Sequence, residues 1–370
     1  MNVLLTNPNY KHTWILALSF FKKGYKVYCL SKSRLCLLGA SKFVEKIIFI
    51  KHFTKDKCES ICINYDIDII VPVGFEETFL LSKIFKNSIF ANKITAANHE
   101  KIAFASDKNK ISKYIDNLGI SVPRVYAINN SDLADAKTYS DREFFLKPSK
   151  EGLIKKYFKI ENSEELNNSR SFFKGIGYSD SDLILQEFIN GEGVGYFAIC
   201  YDGEPVVEYS HQRIREWPKK GGYSTACKIY ENKELTSISR KIIRSLKWRG
   251  PIMIEYKKNK NDGKFYFIEI NPKFWGSLEL GILSNVNIID ALTFITSQPH
   301  NEQINQGEIE RNMIAWPLDG DAFHYFSSPS LLIKLLKNDS IVSTGILRDP
   351  FYRLLKLLYF PLKLLKEFRL

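Results

Sequence analysis

Two glutamates on either side of a turn carry the strongest chemical signal in this 370-residue sequence. Glu255 and Glu269 flank Asn261-Asp262-Gly263. If those three residues form a hairpin loop with Gly263 in the left-handed conformation, Glu255 lies opposite Glu269, and a two-residue loop would shift the pairing by one position. Like charges that face each other destabilise a sheet, so the sequence predicts a positive group between the two carboxylates.

The second strand of this hairpin brings two more functional groups to the same place. Because side chains alternate along a strand, Asn271 and Lys273 point the same way as Glu269 if the strand continues. Two carboxylates, an amide oxygen and a cation suit Mg²⁺ and a polyphosphate, since Mg²⁺ is usually bound through one or two carboxylates plus phosphate oxygens. The alternative is a surface hairpin whose glutamates face solvent, and the apolar neighbours of both glutamates count against it.

A pair of arginines precedes the hairpin. Alternation places Arg213 and Arg215 on one face of a strand, and arginine binds carboxylate or phosphate through two parallel hydrogen bonds, so the pair suits a carboxylate substrate. The alternative is a structural ion pair with Glu208 or Glu216. His211 could act as a base, although a single histidine is more often a structural group.

The elements that must position these residues begin with an α/β region. Apolar runs at residues 3–5, 27–30 and 68–73 predict buried strands, and helical spacing at 13–23 and 76–85 predicts the connecting helices. This order gives a βαβ unit and a parallel sheet. No glycine-rich phosphate-binding signature follows the first strand. Glu76 and Glu77 follow the third strand, where ligands bind in α/β sheets, and recognition of an amine there is an open alternative.

The middle of the chain alternates helices and strands. A helix is predicted over residues 107–118, capped by Ser106 and ended by Gly119. Strands are predicted at 125–128, 144–147 and on both sides of residues 190–193, and residues 277–296 have helical spacing. Trp275 is interpreted as a core or wall residue.

At this point the residues show a family resemblance. Glu255 together with the segment EINPKFWGS, from Glu269 to Ser277, resembles the metal-binding end of the ATP-grasp superfamily. The similarity is greatest to its carbamoyl-phosphate-synthase-like and carboxylate–amine ligase members. Lys273 stands where arginine is usual, which keeps the charge but loses the two-point geometry toward phosphate.

The resemblance extends upstream to the nucleotide-binding residues. Lys108 resembles the first nucleotide lysine, and Lys147 in FFLKPS resembles the second. The segment from Gln186 to Ile189 resembles the hinge between two lobes that enclose adenine. There Glu187 would accept a hydrogen bond from the exocyclic amine, and the backbone of Phe188 and Ile189 would complete the contact.

The resemblance implies an α/β fold of ATP-grasp type (α+β in its lobes) with four parts. These are an N-terminal parallel α/β domain over residues 1–100, a lid and first lobe over 101–185, a second lobe with the metal site over 186–310, and a basic amphipathic helical segment over 311–370. The implied cofactors are ATP and Mg²⁺. The metal ligands would be Glu255, Glu269 and Asn271.

The implied reaction is ligation of a carboxylate to an amine through an acyl phosphate. Arg213, Arg215 and Lys273 would stabilise the transferring phosphoryl group. A glycine-rich loop normally follows the second lysine, but residues 149–156 contain a single glycine. The alternative is therefore a nucleotide-binding partner protein without turnover.

Composition narrows the class of protein. Hydrophobic residues make up 45% and charged residues 25%, which is typical of a globular protein, and the net charge of +12 favours an anionic partner. The six cysteines form no CxxC pair, so we expect thiols in a reducing cytoplasm. The first residues do not resemble a secretory signal, and no apolar run is long enough to span a bilayer.

The last forty residues differ from the rest. Residues 331–370 contain eight Lys or Arg and three Asp or Glu, a net charge of +5 (8 − 3). Beyond Pro350 one helical face is predicted to be apolar, with Lys356, Lys363 and Lys366 largely on the other and Pro361 kinking or splitting the helix. The apolar face comprises Leu354, Leu357, Leu358, Leu364, Leu365 and Phe368.

Such a helix suits the anionic inner face of the cell membrane. The alternative is packing on the body of the protein or on a second subunit, as in a homodimer. Nucleic acid is a poorer partner, because the basic residues are not interleaved with aromatic platforms that stack bases. With the resemblance, this tail suggests a cytoplasmic enzyme of bacterial surface-polysaccharide biosynthesis.

Overall fold

The computed structural model describes residues 1–126, 128, 143–150, 157–217, 222–297, 304, 306–310, 312–327, 341–342 and 349–367. Within these ranges the strands form three sheets. The part of the predicted lid at residues 151–156 and most of residues 328–348 lie outside the described residues.

The N-terminal sheet is parallel, as predicted. Its strands are β1 (Asn2–Leu5), β2 (Lys26–Ser31), β3 (Lys46–Phe49) and β4 (Ile69–Val71), in the order β3-β2-β1-β4. β1 and β4 consist almost entirely of buried aliphatic residues, because helices cover both faces of such a sheet. The helices of this region are α1 (Lys11–Lys22), α2 (Lys55–Asn64), α3 (Phe75–Ile84) and α4 (His99–Ser106).

A single residue, Asp107, separates helix α5 (Lys108–Asn117) from the end of α4. Asp107 is its N-cap, and the Asp107 side chain accepts a hydrogen bond from the backbone N–H of Lys110 at 3.1 Å. The prediction that Ser106 caps this helix is therefore wrong, because Ser106 is the last residue of α4 and donates to the carbonyl of Ile102. Gly119 follows the helix with φ of 73°, as the predicted end requires.

The second sheet has the strand order β5-β8-β6-β7. One face is packed by the helix α6 (Ser163–Gly175), and the other carries Lys147 and Gln186. The strands are β5 (Val125–Tyr126), β6 (Phe144–Pro148), β7 (Phe158–Ile160) and β8 (Leu183–Glu187).

The third sheet contains seven strands in the order β13-β12-β9-β10-β11-β14-β15. One face packs on the helix α7 (Lys233–Leu246), and the opposite face carries Glu255 and Glu269. The strands are β9 (Gly191–Tyr201), β10 (Glu204–Trp217), β11 (Tyr223–Ile229), β12 (Gly250–Asn259), β13 (Phe265–Asn271), β14 (Met313–Ala315) and β15 (Ile341–Val342).

Two apolar cores join the first and third sheets. Phe197 and Tyr209 pack with Trp275 and helix α1 on the face that carries the glutamates, and Tyr196 and Ile254 pack with the N-terminal helices on the other. The helical region predicted over residues 277–296 is two helices, α8 (Leu278–Leu283) and α9 (Ile288–Ser297). The chain between them includes Asn285 at φ of 64°.

A short helix α10 (Ala322–Ser327) precedes the C-terminal helix α11 (Pro350–Glu367). Helix α11 continues through Pro361, so the predicted split is wrong. Tyr352 and Arg353 are buried against the ring of Trp14, and the Lys356 ammonium lies 2.6 Å from Asp319. The described part of the chain contains no helix long and apolar enough to cross a membrane.

Candidate functional site

The hairpin places Glu255 directly opposite Glu269, as predicted. The loop is longer than predicted, however, because Asn259 and Lys264 close it through a backbone hydrogen bond of 2.9 Å and leave four residues between them. A register shift between Glu255 and Tyr256 then restores the expected pairing. Gly263 has φ of 72°, in the left-handed region that favours glycine.

The Glu255 carboxylate is paired with an arginine from a strand that is not its neighbour. Arg213 Nη2 lies 2.8 Å from Glu255 Oε2, and Arg213 Nη1 lies 3.3 Å from Glu216 Oε2. Burial raises the pKa of Glu255, Glu269 raises it further, and Arg213 opposes both effects. The predicted positive group beside the glutamates is therefore present.

The Glu269 carboxylate has different partners. Lys108 Nζ lies 3.4 Å from Glu269 Oε2, and Asn271 Nδ2 donates to Glu269 Oε1 at 2.9 Å. Burial alone would raise the pKa of Glu269, but Lys108, Lys147 and the Asn271 amide outweigh it and hold the pKa at about 2. Glu269 is thus an ionised carboxylate throughout the physiological pH range.

Both predicted nucleotide lysines face this carboxylate pair. Lys108 opens α5, and its backbone N–H donates to the carbonyl of Ser149 at 2.8 Å, which ties the helix to the end of β6. Lys147 stands on β6 opposite Ile184. Burial lowers the pKa of Lys147 to about 8, because Glu269 and Glu255 compensate the loss of solvation only in part.

The donor set fits Mg²⁺ bound together with phosphate. No group of three or more His, Cys, Asp or Glu residues suited to a metal occurs among the described residues. Glu255 and Glu269 supply two carboxylates, and Asn271 turns its amide nitrogen to Glu269, which leaves its oxygen to bind a cation. Mg²⁺ needs about six oxygen ligands, so phosphate and water would supply the others.

Arg215 does not join this cluster. Its Nε and Nη2 donate to the two carboxylate oxygens of Asp321 at 2.7 and 2.8 Å, and Asp321 is fully buried. The prediction that Arg213 and Arg215 act together is wrong, because a β-bulge at Arg215 breaks the alternation of β10 and a buried carboxylate binds its guanidinium. The ion-pair alternative holds for Arg215 with a partner that was not considered, and Arg213 does pair with Glu216, one of the two that were.

The predicted hinge comprises the last two residues of β8 and the two that follow, and these residues differ in their hydrogen bonds. Gln186 is buried beside Phe145, on the face that also carries Lys147, and its Nε2 has no hydrogen-bond partner in the described chain. Phe188 donates its backbone N–H to the carbonyl of Glu143 at 2.7 Å. The predicted backbone contact from Phe188 to adenine therefore lacks its donor.

Glu187 and Ile189 flank that position. The Glu187 carboxylate lies 3.3 Å from the backbone nitrogen of Arg124 and lines a cavity of about 390 Å³ with Ser121 and Tyr266. Ile189 is buried. Acceptance of a hydrogen bond from the exocyclic amine by Glu187, and a backbone contact from Ile189 to adenine, stay predictions.

Lys273 links the hairpin to the N-terminal region. Strand β13 ends at Asn271, so Lys273 lies beyond it, with its ammonium 5.6 Å from the centre of the Phe75 ring. Phe75 opens the helix that carries Glu77, a buried glutamate that accepts a hydrogen bond from Asn7 at 2.7 Å. The N-terminal sheet therefore contributes a polar edge next to Lys273.

Trp275 and His211 lie in the core below the site. The Trp275 indole N–H donates to the Tyr209 hydroxyl at 2.7 Å, in agreement with a wall residue. His211 is buried beside Phe197, and neither ring nitrogen has a partner among described residues. Burial, and then Arg213, hold the pKa of His211 well below its usual value, so the ring is neutral.

Sequence reasoning missed two charged groups. Asp321 lies in no recognisable sequence motif, and only the folded chain brings it next to Arg215. Lys11 lies 3.7 Å from the centre of the Trp316 ring, and burial lowers the pKa of its ammonium to about 8. Lys11 opens an amphipathic helix, where a lysine gives no sign of burial.

Comparison with known proteins supports the interpretation of this geometry. The family described as "ATP-grasp in the biosynthetic pathway with Ter operon" matches residues 179–313. A carbamoyl-phosphate synthase from Methanobrevibacter smithii is 21% identical over 237 residues, which cover 61% of this chain and 62% of the relative. The chain thus spans less than two thirds of the length of this curated relative.

Solved structures resemble most of the chain. A Campylobacter jejuni biotin carboxylase, in a β-γ-ATP complex, has a TM-score of 0.66 at 17% identity. The match covers 84% of this chain and 73% of the biotin carboxylase chain. The biotin carboxylase domain dimer of Hydrogenobacter thermophilus 2-oxoglutarate carboxylase, in complex with MgADP, ADP and bicarbonate, has a TM-score of 0.65 at 13% identity, covering 84% and 72%. N5-carboxyaminoimidazole ribonucleotide synthetase from Thermotoga maritima has a TM-score of 0.61 at 15% identity, and the match covers 84% of this chain and 78% of the synthetase chain.

Proposed function

From the premise that the chain has the ATP-grasp fold, we propose that it is an ATP-dependent ligase that joins a carboxylate to an amine. One observation carries the proposal. Two opposed carboxylates, Glu255 and Glu269, lie among three cations, Lys108, Lys147 and Arg213. That arrangement suits a divalent cation and a polyphosphate, because carboxylates bind Mg²⁺ and the ammonium and guanidinium groups neutralise phosphate oxygens.

In the proposed reaction a carboxylate oxygen of the substrate attacks the γ-phosphorus of ATP, and ADP leaves. The products of this step are an acyl phosphate and ADP. The nitrogen of the amine then attacks the acyl carbon, phosphate leaves, and an amide forms with release of one proton. No side-chain nucleophile takes part, so positioning and electrostatic stabilisation supply the catalysis.

Each residue of the cluster has a role in this scheme. Lys108 and Lys147 neutralise the phosphates of ATP, while Arg213 and Lys273 stabilise charge on the transferring phosphoryl group. Bound Mg²⁺, held by Glu255, Glu269 and Asn271, would supply charge neutralisation at the β- and γ-phosphates. The hinge around Gln186 and Glu187 holds adenine.

The test is release of inorganic phosphate from ATP and Mg²⁺ in a screen of carboxylate and amine pairs. We expect phosphate and ADP to form in equal amounts only when both substrates are present, and Glu269→Gln to abolish the signal. Glu164→Gln, at an exposed glutamate of α6, is the matched control and should keep it. Binding of ATP without ADP formation for any pair, unchanged in Glu269→Gln, would favour the nucleotide-binding partner without turnover.

The substrate screen is guided by the biosynthetic role in the matching family's description. We propose a cytoplasmic step of surface-polysaccharide biosynthesis in which an amino acid amidates a uronic acid. Uronic acids and amino acids therefore come first in the screen. Turnover confined to unrelated acids would contradict this assignment and leave the ligase proposal intact.

The C-terminal helix favours a second proposal, attachment to an anionic membrane surface. Helix α11 docks on the body through Tyr352 and Arg353, so its leucines point outward rather than into the protein. Leu354 and Leu358 are 55% and 65% exposed. Contiguous exposed apolar residues mark surfaces that contact a membrane or another protein, and here they lie opposite the buried side chains of Arg353 and Lys356. The exposed apolar side chains of this helix are Phe351, Leu354, Leu355, Leu357 and Leu358.

Vesicle sedimentation tests this attachment. The protein should bind vesicles that contain anionic lipid, and the double variant Leu354→Ser, Leu358→Ser should lose that binding. Leu35→Ser, at an exposed leucine of the N-terminal region, is the control and should bind normally. Concentration-dependent dimerisation that the double variant abolishes, with no vesicle binding, would instead favour the homodimer.

A further inference from the structure

Strand β9 carries glycines at alternate positions under the charged cluster. Gly195 is paired with Glu255 on one side and with His211 on the other, and Gly193 is paired with Lys257. Strand β9 therefore runs between the strand of Glu255 and the strand of Arg213. Its residues that face the cluster at this point have no side chains.

Arg213 has to cross this strand to reach Glu255. Neighbouring strands lie about 4.8 Å apart, so β10 and β12 are separated by roughly 10 Å. Even so, Arg213 Nη2 lies 2.8 Å from Glu255 Oε2. A Cβ at Gly193 would stand 2.8 Å from Arg213 Cδ, closer than real Cβ atoms approach a neighbour. The guanidinium thus reaches Glu255 through space that only glycine at 193 leaves open.

We propose that Gly193 is a positioning residue, which holds Arg213 on Glu255 by leaving a path for the arginine side chain across β9. This inference rests on the proposed function, because it concerns the same metal and phosphate site. It gives Gly193 a role in placing the Arg213 guanidinium at Glu255.

The surroundings of Gly193 separate it from the other glycines of β9. Its backbone is not in the left-handed region, and the nearest atoms to an added Cβ all belong to the flexible Arg213 side chain. At Gly191 an added Cβ would come within 2.2 Å of the Lys258 carbonyl oxygen, and at Gly195 within 2.6 Å of the Phe197 ring. Alanine at 193 should therefore displace Arg213 and leave the sheet intact, whereas alanine at 191 should disrupt it.

Displacement of Arg213 has a geometric consequence. Glu255 would lose the group that fixes the position of its carboxylate, since Arg213 Nη2 lies 2.8 Å from Glu255 Oε2. A metal ligand that loses an orienting partner binds the metal more weakly, so the affinity for Mg²⁺ would fall.

The test measures Mg²⁺ affinity in the presence of ADP. We expect Gly193→Ala to weaken Mg²⁺ binding by about tenfold, the loss typical of a residue that orients a metal ligand. The melting temperature should stay that of the wild type. Gly175→Ala, with no atom within 4 Å of the added Cβ, is the control and should change neither quantity.

A second variant shows whether Gly193 acts through Arg213. Arg213→Gln alone should reproduce the loss of Mg²⁺ affinity, and Gly193→Ala should add nothing to it, because the arginine that it displaces is gone. Full additivity, or a Mg²⁺ affinity of Gly193→Ala that matches the wild type, would overturn the proposal.

A crystal structure of Gly193→Ala without nucleotide gives a readout independent of the proposed function. Arg213 should have left Glu255, and an intact contact overturns the inference. If the wild type binds no Mg²⁺ with ADP, the proposed function fails, and this structure alone decides the role of Gly193.

Discussion

Two arginines on strand β10, Arg213 and Arg215, are separated by a single residue and lie in different charged environments. Around Arg215 the charges are paired within the protein, since both carboxylate oxygens of Asp321 accept from Arg215, and Thr225 and Tyr325 also donate to Asp321. We call these four residues the Asp321 cluster. It lies at the end of the sheet that is joined to the C-terminal residues.

Arg213 also binds carboxylates, those of Glu255 and Glu216, but the charged groups around it have perturbed pKa values. Glu255 and Glu269 face each other with their pKa values shifted in opposite directions, and Lys147 is held with a lowered pKa. A group of residues that bind only one another, such as the Asp321 cluster, stabilises the folded structure. Groups with opposed and perturbed pKa values are typical of sites that bind or transform a ligand.

The largest effect should come from breaking the saturated cluster. Asp321→Asn removes the charge of a fully buried carboxylate and leaves the Arg215 guanidinium, 13% exposed, without its partner, so we expect a loss of about 3–5 kcal/mol in the free energy of unfolding, measured by urea denaturation. Asp180→Asn, which removes the partly exposed pair with Arg170, should cost at most about 1 kcal/mol. Equal losses would show that the Asp321 cluster has no special role.

Next in size is the loss of Mg²⁺ binding in Glu269→Gln. The variant removes a metal ligand that is ionised at all physiological pH values, so Mg²⁺ affinity with ADP should fall by at least about 100-fold, more than loss of an orienting residue causes. Calorimetric titration measures the change. Asp321→Asn, assayed below its melting temperature, should bind Mg²⁺ within about threefold of the wild type. The reverse ranking of the two variants would contradict the division into two environments.

A smaller effect concerns pH. Because the pKa of Glu255 is raised, its carboxylate takes up a proton at a higher pH than an ordinary glutamate, so Mg²⁺ affinity should fall as pH decreases through that raised value. Glu255→Gln should bind Mg²⁺ weakly and without this pH dependence. An unchanged profile in Glu255→Gln would assign the titration to another group.

The smallest expected effect is proton uptake at Lys147. Its pKa of about 8 in the free protein should rise when phosphate binds beside it. Binding of ADP at pH 8 should therefore take up a fraction of a proton, and nucleotide affinity should decrease as pH rises above 8. Calorimetry in two buffers of different ionisation enthalpy detects the uptake, and Lys147→Arg, with a side chain that stays charged, should abolish it.

The sequence predicts local pairings well when a turn lies close by. The Glu255–Glu269 pair follows from the position of Gly263, and the four-residue loop and the register shift cancel in the final pairing. Farther from a turn the prediction fails. Alternation predicts that Arg213 and Arg215 share a face of one strand, but the register of β10 against β11 shifts on both sides of Arg215, and the two arginines bind different carboxylates.

Contacts between distant residues cannot be read from spacing. Asp321 is 106 positions from Arg215, and only the completed sheet brings the two together. The hinge shows a subtler limit, because the motif places Phe188 at the nucleotide but does not reveal that Glu143 already accepts its N–H. For the C-terminal helix, the periodicity predicts an apolar and a basic face, and packing against Trp14 decides which one points outward.

The most direct measurement of the central claim is a crystal structure with Mg²⁺ and a non-hydrolysable ATP analogue. The metal should lie about 2.1 Å from oxygens of both Glu255 and Glu269, with Lys108 and Lys147 on the phosphates. A nucleotide bound elsewhere, or a metal that touches neither glutamate, would contradict the account.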